Sequence, residues 1–211
     1  MVIPLEERIP PTLCAASTFL LRQISYLDLE AQDQVAKALF FAARWHYGQL
    51  RKAGQSYILH PIQVAGIISV LKADAPSIIA ALLHDTLEDS EVTPSEIERK
   101  FSKEVRILVE ALTKHAAFSH REYAEKVYTR SKEDGRVAVV KVADTCANLM
   151  RHDQLLFSAT KHLEHVHEAR ELYLAWLVPL PGFPAELARM LNRLIAESQQ
   201  DYDTRPDKLH A

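Results

Sequence analysis

The chain has 211 residues, 48% of them hydrophobic and 25% charged, with a formal net charge of −3. That length fits one domain with a short appendage, and the apolar fraction is enough for a sizeable core. The weak negative charge gives no electrostatic footprint for duplex nucleic acid, yet leaves room for a local basic pocket around a small phosphorylated ligand. With only 5 glycines, a turn-rich β fold is disfavoured. Cys14 and Cys146 form no CxxC pair and suit a reducing compartment. Glu6, Glu7, Pro4, Pro10 and Pro11 precede a short apolar stretch, which makes a poor signal peptide. No apolar run approaches the roughly 18 residues of a membrane span. A cytoplasmic protein with no membrane partner is therefore expected.

Helical periodicity dominates. Across residues 33–50 the apolar side runs Val35, Leu39, Ala42, His46 and Leu50, the spacing of one helix face. Pro61 stands where a helix opens, and Ile62, Ala65, Ile68 and Leu71 line a face beyond it. Asp74 and Pro76 mark the entry to a helix over 77–86. Thr93-Pro94-Ser95-Glu96 has the form of a capping box, and Val105, Leu108, Val109 and Leu112 mark the helix after it. The polar stretch 115–135 reads as mixed helix and loop. Residues 137–143 are rich in valine, which alone favours a buried strand; with no second strand to pair with, helix is the better reading. Residues 161–178 read as one long amphipathic helix, broken by Pro179, Pro181, Gly182 and Pro184. A last helix follows over 185–199, then a frayed tail over 201–211. The expected fold is an all-α bundle of about eight to ten helices. It forms a single domain over 1–200, with its motif-bearing core at 35–150 and C-terminal helices at 161–199.

The chemistry concentrates around His84-Asp85-Thr86-Leu87-Glu88-Asp89. Adjacent helical residues point about 100° apart, so His84 and Asp85 reach one ion together only near a helix end or with help from other segments. Residues four apart stack, which sets His84 above Glu88 and Asp85 above Asp89. Two further segments supply complementary groups. His60 lies at a helix entrance, where a side chain is free to swing to a ligand. Asp144 follows an apolar run and shares a helix side with Asn148; a buried carboxylate needs a partner, and a cation is the obvious one.

The order His, His-Asp, Asp is that of the HD metal-dependent phosphohydrolases. The fuller pattern resembles the hydrolase domain of the RelA/SpoT homologues: AARWHYGQLRKAGQSYILHPIQVA, then AALLHDTLEDSEVTPSEIERKFSKEVRILVEALTK, then VKVADTCANL. The resemblance covers roughly 35–150 in three separated blocks, and it implies an HD-domain helical bundle. The length leaves no room for the synthetase and regulatory domains of the long homologues, so a stand-alone small alarmone hydrolase is expected.

The resemblance implies that His60, His84, Asp85 and Asp144 bind one divalent ion, usually Mn²⁺. Glu88 and Asp89 then orient or deprotonate the attacking water. Arg51 and Lys52 line the nucleotide pocket, with Arg51 against the guanine, while Asn148 contacts the nucleoside and Tyr57 shapes the pocket. The implied reaction removes the 3′-pyrophosphate of (p)ppGpp, leaving GDP or GTP. A small nucleotide is the implied partner, and a homo-oligomer is left open. Some positions depart from the usual pattern: Thr-Cys-Ala after Asp144, Ala53, and Arg151. Those near Asn148 border the base pocket and motivate one alternative, a metal-dependent phosphatase of another nucleotide such as NADPH. A second, a catalytically silent nucleotide-binding module, is opposed by the intact Glu88-Asp89 pair and four-ligand set. Elsewhere, His46 reads as a core or supporting histidine. Cys146 reads as a small buried apolar residue, and His162, His165 and His167 as an exposed helix with adventitious metal affinity.

Overall fold

Regular structure among the described residues is helical, and most helices begin at a side chain that accepts from the otherwise unpartnered N–H groups of the first turn. The computed structural model describes residues 12–51, 54–150 and 158–204, and these separate into two compact units on either side of the Phe118–Ser119 bond. The fold is all-α, as expected. Among the described residues, the β geometry is limited to an isolated bridge between Leu50 and Ser56.

In the first unit, α1 (Leu13–Gln23) leads through a 3₁₀ turn (Ile24–Tyr26) into α2 (Leu29–Trp45). Asp28 caps α2 by accepting from Ala31 N–H at 2.8 Å. This helix starts and stops earlier than the apolar pattern predicted. Ala38 and Phe41 complete its buried face with Val35 and Ala42, while Leu50 lies beyond it and is exposed. Next come α3 (Leu59–Val70) and α4 (Ala75–Leu83), the latter capped by Asp74, which accepts from Ser77 N–H at 2.9 Å. The predicted single face of α3 is too narrow, because every residue from Leu59 to Ser69 is buried. A helix apolar on all sides is one that the core surrounds.

The chain then makes a four-residue helical turn, α5 (Thr86–Asp89), followed by α6 (Pro94–Lys100) and α7 (Lys103–Leu112). Thr93 caps α6 and Ser102 caps α7; Val105, Leu108, Val109 and Leu112 are all buried, as their spacing predicted. α4 packs against α2, α3 and α7, which makes it the axis of this unit.

The second unit contains α8 (His120–Glu133), α9 (Gly135–Leu149), α10 (Ala159–Glu168) and α11 (Ala185–Asp203). Where mixed helix and loop was expected, α8 runs for 14 residues. It opens on a reciprocal capping box, in which Ser119 Oγ accepts from Glu122 N–H and Glu122 Oε2 accepts from Ser119 N–H. The valine-rich stretch is helical, within α9. The predicted helix over 161–178 is not uniform: after α10 the backbone widens into a π-turn over Ala169–Leu174. α11 continues past residue 199 to Asp203. α9 packs against α8 and α11. No helix of the described residues is long and apolar enough to cross a membrane.

Candidate metal and nucleotide site

The first unit brings His60, His84 and Asp85 together. His60 is the second residue of α3, with its N–H bonded to Tyr57 O at 2.9 Å, and its ring is buried. α4 does not run on through Thr86 as predicted. It ends at Leu83, and Asp85 takes φ −92° and ψ −9° before α5 begins. That conformation lies in the sparsely populated bridge region where active-site residues recur. The stacking of Asp85 over Asp89 within one continuous helix is thereby replaced by a junction between two helices. The junction resolves the divergence of neighbouring side chains: His84 Nε2 lies 3.1 Å from Asp85 Oδ1, and His60 Nε2 lies 3.7 Å from Asp85 Oδ2. The two imidazole rings stand edge to face with centroids 5.3 Å apart.

The tautomer follows from a backbone contact. His84 Nδ1 is 2.8 Å from the carbonyl of Ala81, so Nδ1 carries the hydrogen, and in the neutral ring Nε2 presents a lone pair. A neutral His84 therefore sets a nitrogen lone pair against a carboxylate oxygen at 3.1 Å, an arrangement that a cation between them relieves. Metal-ligating histidines commonly donate their other N–H to a backbone carbonyl in this way. Metal–ligand bonds of about 2.1 Å put neighbouring ligand atoms roughly 3.0–3.5 Å apart, close to both spacings seen here. Two imidazoles and a carboxylate suit a divalent first-row ion.

Around this cluster the predicted residues take distinct places. The Tyr57 hydroxyl donates to Asp85 Oδ2 at 2.8 Å, so Tyr57 holds a candidate ligand in position, a role that sequence reading missed. Its ring lies against that of His46, with centroids 4.9 Å apart. His46 is fully buried, as expected of a supporting histidine, and bonds through Nδ1 to Gln49 Oε1 at 2.8 Å. Gln49 in turn donates to the carbonyl of Asp89 at 3.0 Å. Desolvation on its inner side and the charge of Asp85 push the Asp89 carboxyl pKa up, against the pull of Tyr57, His46 and His84. Glu88 is turned elsewhere, accepting from the backbone N–H of Lys114. Arg51 sits on a tight loop, its N–H bonded to Gln55 O at 2.8 Å and its carbonyl accepting from Gly54 N–H. Gly54 takes φ +76° there, a conformation glycine adopts without strain. Lys52, Ala53 and Arg151 lie outside the described residues.

In the second unit Asp144 is buried on α9 with both oxygens engaged: Oδ1 accepts from Asn148 Nδ2 at 2.8 Å and Oδ2 from Lys141 Nζ at 2.9 Å. Asn148, predicted to face a nucleoside, thus also braces Asp144. For the Lys141 ammonium, burial pulls the pKa down, but Asp144, Tyr123 and Tyr173 outweigh it and leave the value well above that of an ordinary lysine. Cys146 is buried, as predicted. Within the histidine cluster on α10, His167 is exposed and His165 partly so, but His162 departs from the expected exposed face. His162 is fully buried, and its Nε2 lies 2.9 Å from the carbonyl of Ser198, so it joins α10 to α11.

The architecture and this donor set define a class, the helical folds built around a paired His-Asp. Residues 38–175 match the family model described as HD domain, and the chain belongs to that family. Among curated proteins, it is similar to a GTP pyrophosphokinase of Myxococcus xanthus, 37% identical over 151 residues. It is also similar to a guanosine-3′,5′-bis(diphosphate) 3′-pyrophosphohydrolase of Aquifex aeolicus, 37% identical over 145 residues. Each match covers 67% of this chain and 20% of the relative, so the chain spans about a fifth of the length of these proteins. A solved structure of a metazoan ortholog of SpoT that hydrolyses ppGpp and plays a role in starvation responses superposes with a TM-score of 0.67 at 25% identity. That match covers 78% of this chain and 94% of the other.

Proposed function

We propose that this protein is a metal-dependent hydrolase that removes the 3′-pyrophosphate of (p)ppGpp. The observation that carries the reading is the convergence of His60, His84 and Asp85 with a tautomer that aims a nitrogen lone pair at a carboxylate. The likeness to the metazoan ppGpp hydrolase along most of that chain supports the substrate. His60, His84 and Asp85 hold one divalent ion with Asp144 as fourth ligand, and Mn²⁺ is the ion we propose. Bound there, a divalent ion supplies Lewis acidity toward a phosphate oxygen and activates water.

The remaining work falls to the chain itself. Asp89, whose carboxyl pKa is already raised, accepts the proton of the attacking water. Glu88 supports it by tying α5 to the backbone at Lys114. Arg51, carried on its braced loop, stacks its planar guanidinium on the guanine, and Lys52 pairs with phosphate. Asn148 contacts the nucleoside from α9. On this reading cytoplasmic ppGpp is the substrate.

The test incubates the Mn²⁺-loaded protein with ppGpp, GTP and NADPH and follows pyrophosphate and phosphate release. Pyrophosphate from ppGpp alone is the expected outcome, with Asp89→Asn at least tenfold slower at unchanged metal content. Phosphate from NADPH with ppGpp untouched would overturn the substrate, and no turnover at all would favour the silent module.

A further inference from the structure

Lys141 lies one helical turn before Asp144 on α9, and its ammonium is enclosed. Nζ is 5.0 Å from the ring centroid of Tyr123, 4.9 Å from that of Tyr173 and 2.9 Å from Asp144 Oδ2. Only 13% of the side chain reaches solvent. An ammonium is a strongly hydrated point charge, so its burial requires an environment that replaces water. Two aromatic faces and a carboxylate supply one.

The cage has its own support. Tyr173 belongs to the π-turn Ala169–Leu174, a rare backbone form that tends to occur at functional sites. Its hydroxyl donates to Glu168 Oε1 at 2.8 Å, and Glu168 Oε2 lies 3.0 Å from His120 Nδ1. The ring therefore cannot swing away without breaking that chain of contacts. At the other end, Asp144 is held at each oxygen, by Asn148 at 2.8 Å and by Lys141 at 2.9 Å. A carboxylate oxygen accepting one hydrogen bond keeps a further lone pair, so this clamping leaves ligand capacity intact.

We propose that Lys141 is a positioning residue for Asp144: clamped between Tyr123 and Tyr173, its ammonium pins one carboxylate oxygen while Asn148 pins the other. Together they fix the rotamer in which Asp144 meets a divalent ion. The inference rests on the reading of Asp144 as a ligand.

The experiment titrates Mn²⁺ into the full chain after chelator treatment and follows the free-ion paramagnetic resonance signal, with circular dichroism of each metal-free variant as the folding control. Lys141→Met and Tyr173→Leu should weaken Mn²⁺ binding about 10–100-fold, the usual cost of removing support behind a metal ligand. Tyr173→Phe, which keeps the ring face and loses only the Glu168 bond, should weaken binding less than Tyr173→Leu does. A folded Lys141→Met protein that binds Mn²⁺ as tightly as the unaltered chain would overturn the inference. If that variant does not fold, unaltered affinity in Tyr173→Leu would overturn it instead. Asp144→Asn separates the two readings. Loss of binding there, with binding kept in the other variants, removes Lys141 alone; full binding in Asp144→Asn removes the ligand reading and the inference with it.

Discussion

Asp85 is held at one oxygen by the Tyr57 hydroxyl at 2.8 Å, while the other oxygen lies 3.1 Å from His84. Tyr57→Phe removes the hydroxyl that holds Asp85 and also faces Asp89, while keeping the ring against His46, so metal affinity is the readout that isolates support of Asp85. Metal affinity should fall about tenfold, the lower end of what such supports contribute; unchanged affinity and turnover would return Tyr57 to the role of a pocket wall. His60, His84 and Asp85 were legible in the sequence because each sits in a short pattern whose neighbours define it. Tyr57 was not, because its partner lies 28 residues away and only the path of the chain brings them together. His162 failed for a related reason. Spacing with His165 suggested a surface cluster, but the burial of one imidazole is decided by α11, whose docking no local pattern reports.

Helix starts were the most legible elements, since each depends on side chains close in sequence. Asp74, Thr93 and Ser102 all cap as their chemistry dictates. The same rule would have placed the start of α8 within the stretch read as mixed helix and loop, because Ser119 and Glu122 form a capping box. Ends and interruptions were less legible. Neither the break after Leu83 nor the π-turn at Ala169 carries a proline or glycine to announce it.

Asp134 offers a test at this scale. It caps α9 by accepting from Arg136 N–H, and the Arg136 guanidinium bonds it as well. That side-chain bond, opposed by burial and aided by the backbone N–H, lowers the Asp134 carboxyl pKa below its usual 3.8. A lowered folded value contributes stability that is complete above the unfolded pKa and is lost as pH falls through the folded one. Asn also caps helices, so Asp134→Asn removes the charge and spares the cap. The urea midpoint of the variant should lie below that of the unaltered chain at about pH 7, and the gap should narrow as pH falls through and below the ordinary aspartate range. A gap independent of pH would assign the effect to geometry.

At the scale of the whole chain, the family match runs from residue 38 to 175, across both compact units. The two cysteines report on folding: Cys14 is exposed and Cys146 is buried. A disulfide-exchange reagent should titrate one thiol promptly in native protein and the second only in denaturant; two prompt thiols would contradict the packing of α9. The all-α class was legible because the apolar periodicity recurs in helix after helix, whereas the division near Phe118 has no marker in composition.

α3 gives the site its mechanical character. A ligand on a surface helix can be shed by local fraying, at little cost to the rest of the fold. His60 stands on a helix that has no solvent face from Leu59 to Ser69. Withdrawing that imidazole means opening the core, so the durability of the metal centre is tied to the global stability of the unit that carries it.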